Sequence, residues 1–344
     1  MRIAQIAPLN EAVPPRLYGG TERVVAYLCD ALVELGHDVT LFASGDSRTR
    51  ACLVPARAEA LRLDPATLKS DVAAHLAMLH DVRARAAEFH VLHFHTDLLQ
   101  FPLFEHCAAR ALTTIHGRLD IVDLPAVYRR WTDFALVSIS DAQRKPLPFA
   151  HWVRTVHHGL PRDLISFQAN PGDYLAFVGR ISPEKRVDRA LRIAARAGLP
   201  LRIAAKIDPA DAAYFHREIE PLLARAENVE FIGEIDDRAK SDLLGGARAL
   251  LFPIDWPEPF GLVMIEAMAA GTPVIAWDCG SVREVIDVGV TGFIVRSEDE
   301  AVAAVDRIAT LERKRVRAVF EERFTAVVMA RHYLETYRAL IASH

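Results

Sequence analysis

The strongest constraint on this chain is an alternation that occurs twice. Short apolar runs of strand length alternate with longer runs whose apolar residues recur at helical spacing. The first series contains "RIAQIAP" (2–8), "DVTLFAS" (38–44), "HVLHFH" (90–95), "ALTTIH" (111–116) and "FALVSIS" (134–140). Between the first two lies "TERVVAYLCDALVELG" (21–36), an amphipathic helix stopped at Gly36. Residues 55–90 read as a helical excursion with little strand character. The periodicity then fails across 157–173, where turn formers accumulate, and this marks a linker. A second series follows: "YLAFVGR" (174–180), "LPLRIAAK" (199–206), "NVEFIG" (228–233), "ARALLFP" (247–253) and "TPVIAW" (272–277). A helix over 324–341 closes the pattern. Strand–helix alternation makes a parallel sheet wrapped by helices. The expected fold class is therefore α/β, with two Rossmann-like domains facing a central cleft. The expected boundaries are 1–160 and 161–325, with 326–344 packing back on the first domain. Ligands in open sheets of this type bind beyond the carboxyl ends of the strands.

Composition narrows the class. With 344 residues, 51% of them hydrophobic and 25% charged, the chain reads as an ordinary soluble protein. A net charge of -4 without a basic tract argues against nucleic acid as partner. No apolar run reaches the length of a membrane span, and the N-terminus lacks a signal-peptide core. Cys29, Cys52, Cys107 and Cys279 form no CxxC pair and read as reduced thiols, which implies a cytoplasmic location.

Three stretches carry chemistry. In "RLYGGTERV", Gly19 and Gly20 precede a helix start, with Thr21 as a candidate N-cap. Such a turn holds a phosphate on free amides, or is an ordinary flexible turn. It is neither a GxGxxG nor a P-loop, which disfavours a dehydrogenase. In "FVGRISPEKRVD", Arg180 ends a strand and Lys185 falls in the first turn of the next helix, which Ser182 can cap. Two cations fixed there suit a diphosphate, or are solvated beside Glu184 and Asp188. In "DWPEPFGLVMIEAMAAG" (255–271), Pro259 suits the first helical position and puts Glu258 at or beside the N-cap. The amides of Phe260, Gly261, Leu262 and Val263 are then free donors beside a fixed carboxylate. Glu266, roughly 9 Å further along the axis, suits a ribose. The alternative is that Glu258 caps its helix and Glu266 forms a salt bridge.

"GRISPEKRVDRAL", "EPFGLVMIEAMAAGTPVIA" and "TGFIV" resemble the retaining nucleotide-sugar glycosyltransferases of the GT-B fold, the family 4-like, group 1 set. The Glu-x7-Glu signature of that group stands here as Glu258 and Glu266. "YGGTERVVAYLCDALVELGHDVTLFA", "VLHFHTD" and "LTTIHG" resemble its N-terminal motifs. The resemblance implies that Arg180 and Lys185 neutralise the departing diphosphate, with Gly19 and Gly20 approaching it. It implies that Glu258 holds a donor-sugar hydroxyl and Glu266 the ribose. His116 would lie near the transferred sugar, or simply pack in the wall. Gly233, Glu234 and Ile235 would cradle the base. The implied reaction is front-face glycosyl transfer with retention, from a UDP-, GDP- or ADP-sugar to a glycan, a lipid-linked sugar or a small molecule. It requires no metal and no cofactor beyond that co-substrate, and no DxD triad appears. His93 and His95 share a face at strand spacing, for packing or for metal. A GT-B epimerase, a phosphorylase and a non-catalytic sugar-nucleotide binder remain as alternatives. Peripheral association with the inner membrane face is also open, with "VYRRW" (127–131) and the helix before residue 90 as weak candidates.

Overall fold

The computed structural model describes residues 1–16 and 19–342. They form two units, Met1–Pro161 together with the segment from Ala326, and Arg162–Thr325.

The first unit is built on strands β1 (Arg2–Ile6), β2 (Asp38–Ser44), β3 (Cys52–Arg57), β4 (Val91–Phe94), β5 (Ala111–Thr114), β6 (Ala135–Ser138) and β7 (Trp152–Thr155). All pair in parallel in the order β3-β2-β1-β4-β5-β6-β7. Helices cover such a sheet on both faces, so its central strands are buried and mostly apolar, with Gln5, His93, Thr113 and Thr114 as buried polar exceptions. Ile3, Ala4, Ile6, Leu92, Phe94, Ala111 and Leu112 are fully buried accordingly. The helix Gly20–Glu34 packs on the returning helix Ala326–Ala342. The Ala326 amide donates to the Leu160 carbonyl at 2.7 Å, which fixes the point of return.

Two edge strands of this unit depart from the sequence reading, as does the edge strand Gly292–Val295 of the second unit. The stretch from residue 55 is not wholly helical, because β3 runs to Arg57 and carries Pro55. A proline is tolerated on an edge, where no ladder bond needs its missing N–H. β7 also escaped detection. Its residues are half-buried or exposed, so they lack the apolar run of a central strand.

The second unit contains β8 (Leu175–Arg180), β9 (Leu201–Lys206), β10 (Val229–Gly233), β11 (Ala249–Phe252), β12 (Val274–Trp277) and β13 (Gly292–Val295). They are parallel in the order β10-β9-β8-β11-β12-β13. Counted within each unit, the first six strands follow the doubly wound order 3-2-1-4-5-6. The order reverses between β1 and β4 in one unit, and between β8 and β11 in the other.

Arg313 anchors the helix that carries Glu266. Its buried guanidinium donates to the carbonyls of Gln168 (2.7 Å), Gly245 (2.8 Å) and Ala247 (2.9 Å), and to the Thr272 hydroxyl (2.7 Å). The carbonyl of Ala270 lies at 3.4 Å. Gly245 and Ala247 end the helix Asp237–Gly246, and Ala270 ends the helix Leu262–Ala270. One cation therefore satisfies the orphan carbonyls, and meets the negative dipole ends, of two helices. Arg313→Met removes the guanidinium donor from the carbonyls of Gln168, Gly245 and Ala247, while Ala270 keeps the Gln168 amide at 3.1 Å. It is expected to lower the stability of this unit by about 3–5 kcal/mol, measured by urea denaturation. Arg313→Lys should recover only part, because an ammonium cannot span the same set of acceptors.

Candidate functional site

Most of the predicted site residues lie in the second unit, at the carboxyl ends of its strands. Arg180 is the last residue of β8, and a single 3-10 turn, Pro183–Lys185, follows. Arg186 then takes a left-handed conformation (φ 54°), and the next helix, Val187–Ala197, begins only after it. Lys185 is thus set in a tight turn before the helix rather than in its first turn, and the Ser182 side chain does not cap that turn. Arg186 explains the interruption. It bonds Asp188 at 2.8 Å and Asp255 at 2.8 Å, while Arg189 reaches Asp255 at 3.1 Å. The Asp255 amide also donates to the Glu184 carbonyl at 2.8 Å. These bonds stitch the 180–189 segment to the loop after β11.

The consequence is that the Lys185 ammonium meets the Glu258 carboxylate. Trp256 Nε1 donates to the same oxygen at 2.9 Å. The Trp256 ring centroid lies 5.1 Å from the Lys185 ammonium. The two residues proposed for diphosphate and sugar are therefore in direct contact. Arg180 is held by Glu184 at 2.6 Å and Asp211 at 3.4 Å. It is paired on both sides rather than solvated.

The helix after Glu258 starts later than its sequence suggests. It runs Leu262–Ala270, with Gly261 at the N-cap (φ 80°), so Pro259 is not its first residue and Glu258 does not cap it. The reason is local. Phe260 plunges into the core, and its carbonyl accepts from the Ser281 hydroxyl at 2.7 Å. Gly261 must then turn the chain through a left-handed conformation, where a Cβ would lie 2.9 Å from Phe252 and Met264. The Leu262 and Val263 amides remain at the true helix start, where free donors and the positive dipole end coincide. Glu258 is instead fixed by the loop after β12. Gly280 (φ 59°) lies so close that a Cβ would come within 2.4 Å of the Glu258 backbone, and the Ser281 amide donates to the Glu258 carbonyl at 3.1 Å.

Glu266 is buried and ion-paired to Lys240 at 2.6 Å, with Asp237 at 3.2 Å from the same ammonium. The salt-bridge alternative for Glu266 is thus realised. It leaves one carboxylate oxygen bound to Lys240. Gly233 ends β10 at φ 86°, Glu234 is exposed and Ile235 is half-buried.

In the first unit, Gly19 is the N-cap of the helix Gly20–Glu34, and no side chain caps it, so Thr21 does not. The buried Glu22 sits in that first turn with its carboxylate 3.4 Å from where a Gly19 Cβ would stand. Burial raises its pKa, and the charge of Glu11 adds to this. His116 follows β5. Its Nε2 lies 2.8 Å from His95 Nδ1, and its ring stacks on His158 at 5.3 Å between centroids. Burial holds His116 down to about 3, so its ring is neutral. His93 and His95 are not free for a metal. His93 bonds Tyr337 (2.7 Å) and Thr114 (2.8 Å), and His95 bonds Gln5 (2.8 Å) besides His116.

The Glycosyl transferases group 1 family model matches residues 165–324, and the Glycosyltransferase Family 4 model matches 18–174. The chain belongs to the GT-B glycosyltransferases. It is 28% identical to the phosphatidyl-myo-inositol mannosyltransferase of Mycolicibacterium smegmatis, over 94% of this chain and 88% of that one. Among solved structures it resembles AviGT4, a glycosyltransferase involved in avilamycin A biosynthesis. The TM-score is 0.78 at 26% identity, over 100% of this chain and 98% of that one. It also resembles Anabaena Alr3699/HepE in complex with UDP and glucose, with a TM-score of 0.76 over 98% of this chain and all of that one. At 16% identity that likeness speaks for the fold alone.

Against this family background, sequence reasoning missed Trp256, Lys240, Gly280 and Ser281. Trp256 stands inside the quoted "DWPEP" stretch and could have been weighed as a donor to Glu258. Lys240 carries no local signal, because its partner Glu266 is 26 residues away on another helix.

Proposed function

We propose that this glycosyltransferase moves a glycosyl group from a nucleoside-diphosphate sugar to an acceptor hydroxyl, with retention and without a metal. The observation that carries this reading is the contact of Lys185 with Glu258 beside the amides of Leu262 and Val263. A cation, a hydroxyl acceptor and a helix start are gathered at the carboxyl ends of β8 and β11, where a doubly wound sheet binds its ligand. Donor binding replaces the Lys185–Glu258 contact. Lys185 turns to the diphosphate together with Arg180, Glu258 accepts from a sugar hydroxyl, and Glu266 accepts from the ribose. Gly233 to Ile235 flank the base, and Gly19–Gly20 bring amides to the phosphates. In the step itself the bond from the anomeric carbon to the phosphate oxygen breaks. The acceptor oxygen bonds the same face, and its proton passes to the departing phosphate. The cations and the helix dipole stabilise the charge that collects there.

The similarity to a phosphatidyl-myo-inositol mannosyltransferase makes a nucleotide-activated mannose and an inositol-bearing acceptor the first pair to try. The free state of Cys29, Cys52, Cys107 and Cys279 fits action in the cytoplasm. No helix among the described residues is long and apolar enough to cross a membrane. The test is a thermal-shift panel of UDP, GDP, ADP and dTDP with their sugar conjugates, followed by assay of nucleotide release. One nucleotide family should raise the melting temperature, worth about 2.7 kcal/mol at a hundredfold excess over Kd. Release should then require acceptor. Rapid release without acceptor and without transfer would sink the transferase reading.

A further inference from the structure

A hydrogen-bonded relay lies beneath His116 in the first unit, and its directions can be read from one end to the other. Gln5, on β1, donates from Nε2 to the Tyr337 hydroxyl at 3.0 Å. Its Oε1 can only accept, so His95 Nε2 must donate to it, at 2.8 Å. A neutral imidazole carries one proton, so His95 Nδ1 is a lone pair. His116 Nε2, 2.8 Å away, must therefore donate to it. His116 Nδ1 is then left as an acceptor, and this buried atom has no hydrogen-bond partner among the described residues. A second branch locks the base of the relay. Tyr337 passes its own proton to His93 Nδ1 (2.7 Å), and His93 Nε2 donates to Thr114 (2.8 Å), whose hydroxyl reaches Tyr333 (2.8 Å). Both tyrosines come from the returning helix Ala326–Ala342.

We propose that Tyr337, Gln5 and His95 are positioning residues that fix the tautomer of His116, so that its Nδ1 accepts a hydrogen bond from a hydroxyl of the sugar undergoing transfer. The inference rests on the glycosyltransferase reading above and goes beyond it. It names the ring atom that acts, the proton state that atom must have, and the source of that state on the returning helix. The wrong tautomer would present an N–H where a hydroxyl hydrogen must land. Two donors would then face each other, and the contact would be lost without any change of charge.

The test combines a structural and a kinetic readout on the full chain. In wild type, 15N-correlated imidazole spectra should show His116 protonated at Nε2 and bare at Nδ1. Gln5→Met removes the acceptor that holds His95. His116 should then populate both tautomers, and kcat should fall by roughly tenfold or more with donor KM changed less than twofold. Gln5→Glu keeps the acceptor and should restore the wild-type tautomer. Tyr337→Phe keeps the packing but frees the Gln5 amide, and should lie between. A wild-type His116 protonated at Nδ1 would overturn the relay, and so would Gln5→Met with an unchanged tautomer. Full turnover in His116→Ala would overturn the ring's role and leave the transferase reading standing. A wild-type protein that transfers no sugar under any donor would sink that reading instead, with the tautomer spectra unaffected.

Discussion

Lys185→Ala is expected to reduce turnover by roughly 10²–10³-fold at saturating donor and acceptor, the cost of removing one preorganised charge from a developing oxyanion. Lys185 is mostly buried, in contact with Glu258 and fixed in a turn that Arg186, Asp188 and Asp255 hold. Its ammonium therefore needs little reorganisation to meet a departing phosphate. Lys185→Arg should rescue poorly, since a forked guanidinium does not fit a seat built for a point charge beside Trp256. Glu258→Gln keeps an acceptor for Trp256 Nε1 and should cost less than Glu258→Ala. Because Lys185 and Glu258 touch each other and are assigned to one ligand, their effects should not add. The double alanine variant should fall little below the worse single variant. Circular dichroism and the melting transition control for folding. A folded Lys185→Ala protein that turns over at the wild-type rate would remove the diphosphate role from this turn.

The sheet architecture was legible because the central strands of a parallel sheet are buried on both faces. Leu250–Phe252 announces itself as an apolar run whatever surrounds it, and Ile3–Ile6 and Val91–Phe94 do so with one polar residue each, Gln5 and His93. The edge strands β3 and β7 were not legible because their residues are half-buried or exposed and form no uninterrupted apolar run, and the edge strand β13, Gly292–Val295, was missed because it is only four residues long and begins on glycine. The site was legible in its residue types and illegible in its pairings. Glu258, Lys185, Arg180 and Glu266 each stand in a recognisable local pattern, whereas the contacts of Lys185 with Glu258 and of Lys240 with Glu266 join segments far apart in sequence. The helix start after Glu258 was misread for a related reason. Proline at 259 is a valid local signal, but burial of Phe260 and the left-handed turn at Gly261 are tertiary facts that override it. His93 and His95 show the same limit. Their spacing placed both on one face of the stretch "HVLHFH" (90–95), while only the fold could bring Gln5, Thr114 and Tyr337 to their nitrogens.

That buried histidine cluster predicts the second large effect, a steep acid instability confined to the first unit. His93, His95 and His158 are 0%, 3% and 4% exposed. Burial, reinforced by neighbouring histidines, pushes each well below the ordinary value of 6.5. The folded state therefore keeps them neutral while the unfolded chain protonates them near pH 6.5. Above that pH neither state binds the protons, and the unit has its full stability. As the pH falls below 6.5 the unfolded state gains protons that the folded state refuses, and stability drops toward the depressed folded values. His116, held down to about 3, adds to the same loss, while the raised carboxyls of Glu22 and Asp97 take up protons in the folded state and oppose part of it. The net balance is set by the histidines, so the first unit is expected to lose stability steadily as the pH falls below 6.5. The second unit has His216 as its only histidine, and that residue is exposed, so it should hold until its carboxylates titrate. Urea denaturation at pH 7.5, 6.5 and 5.5, read by hydrogen exchange on peptides from each unit, separates the two. Parallel loss of protection in both units, or a first unit insensitive over this range, would show that the cluster is not held neutral. The same neutrality is what the His116 relay requires, so an acid-stable first unit would also remove the basis for its fixed tautomer.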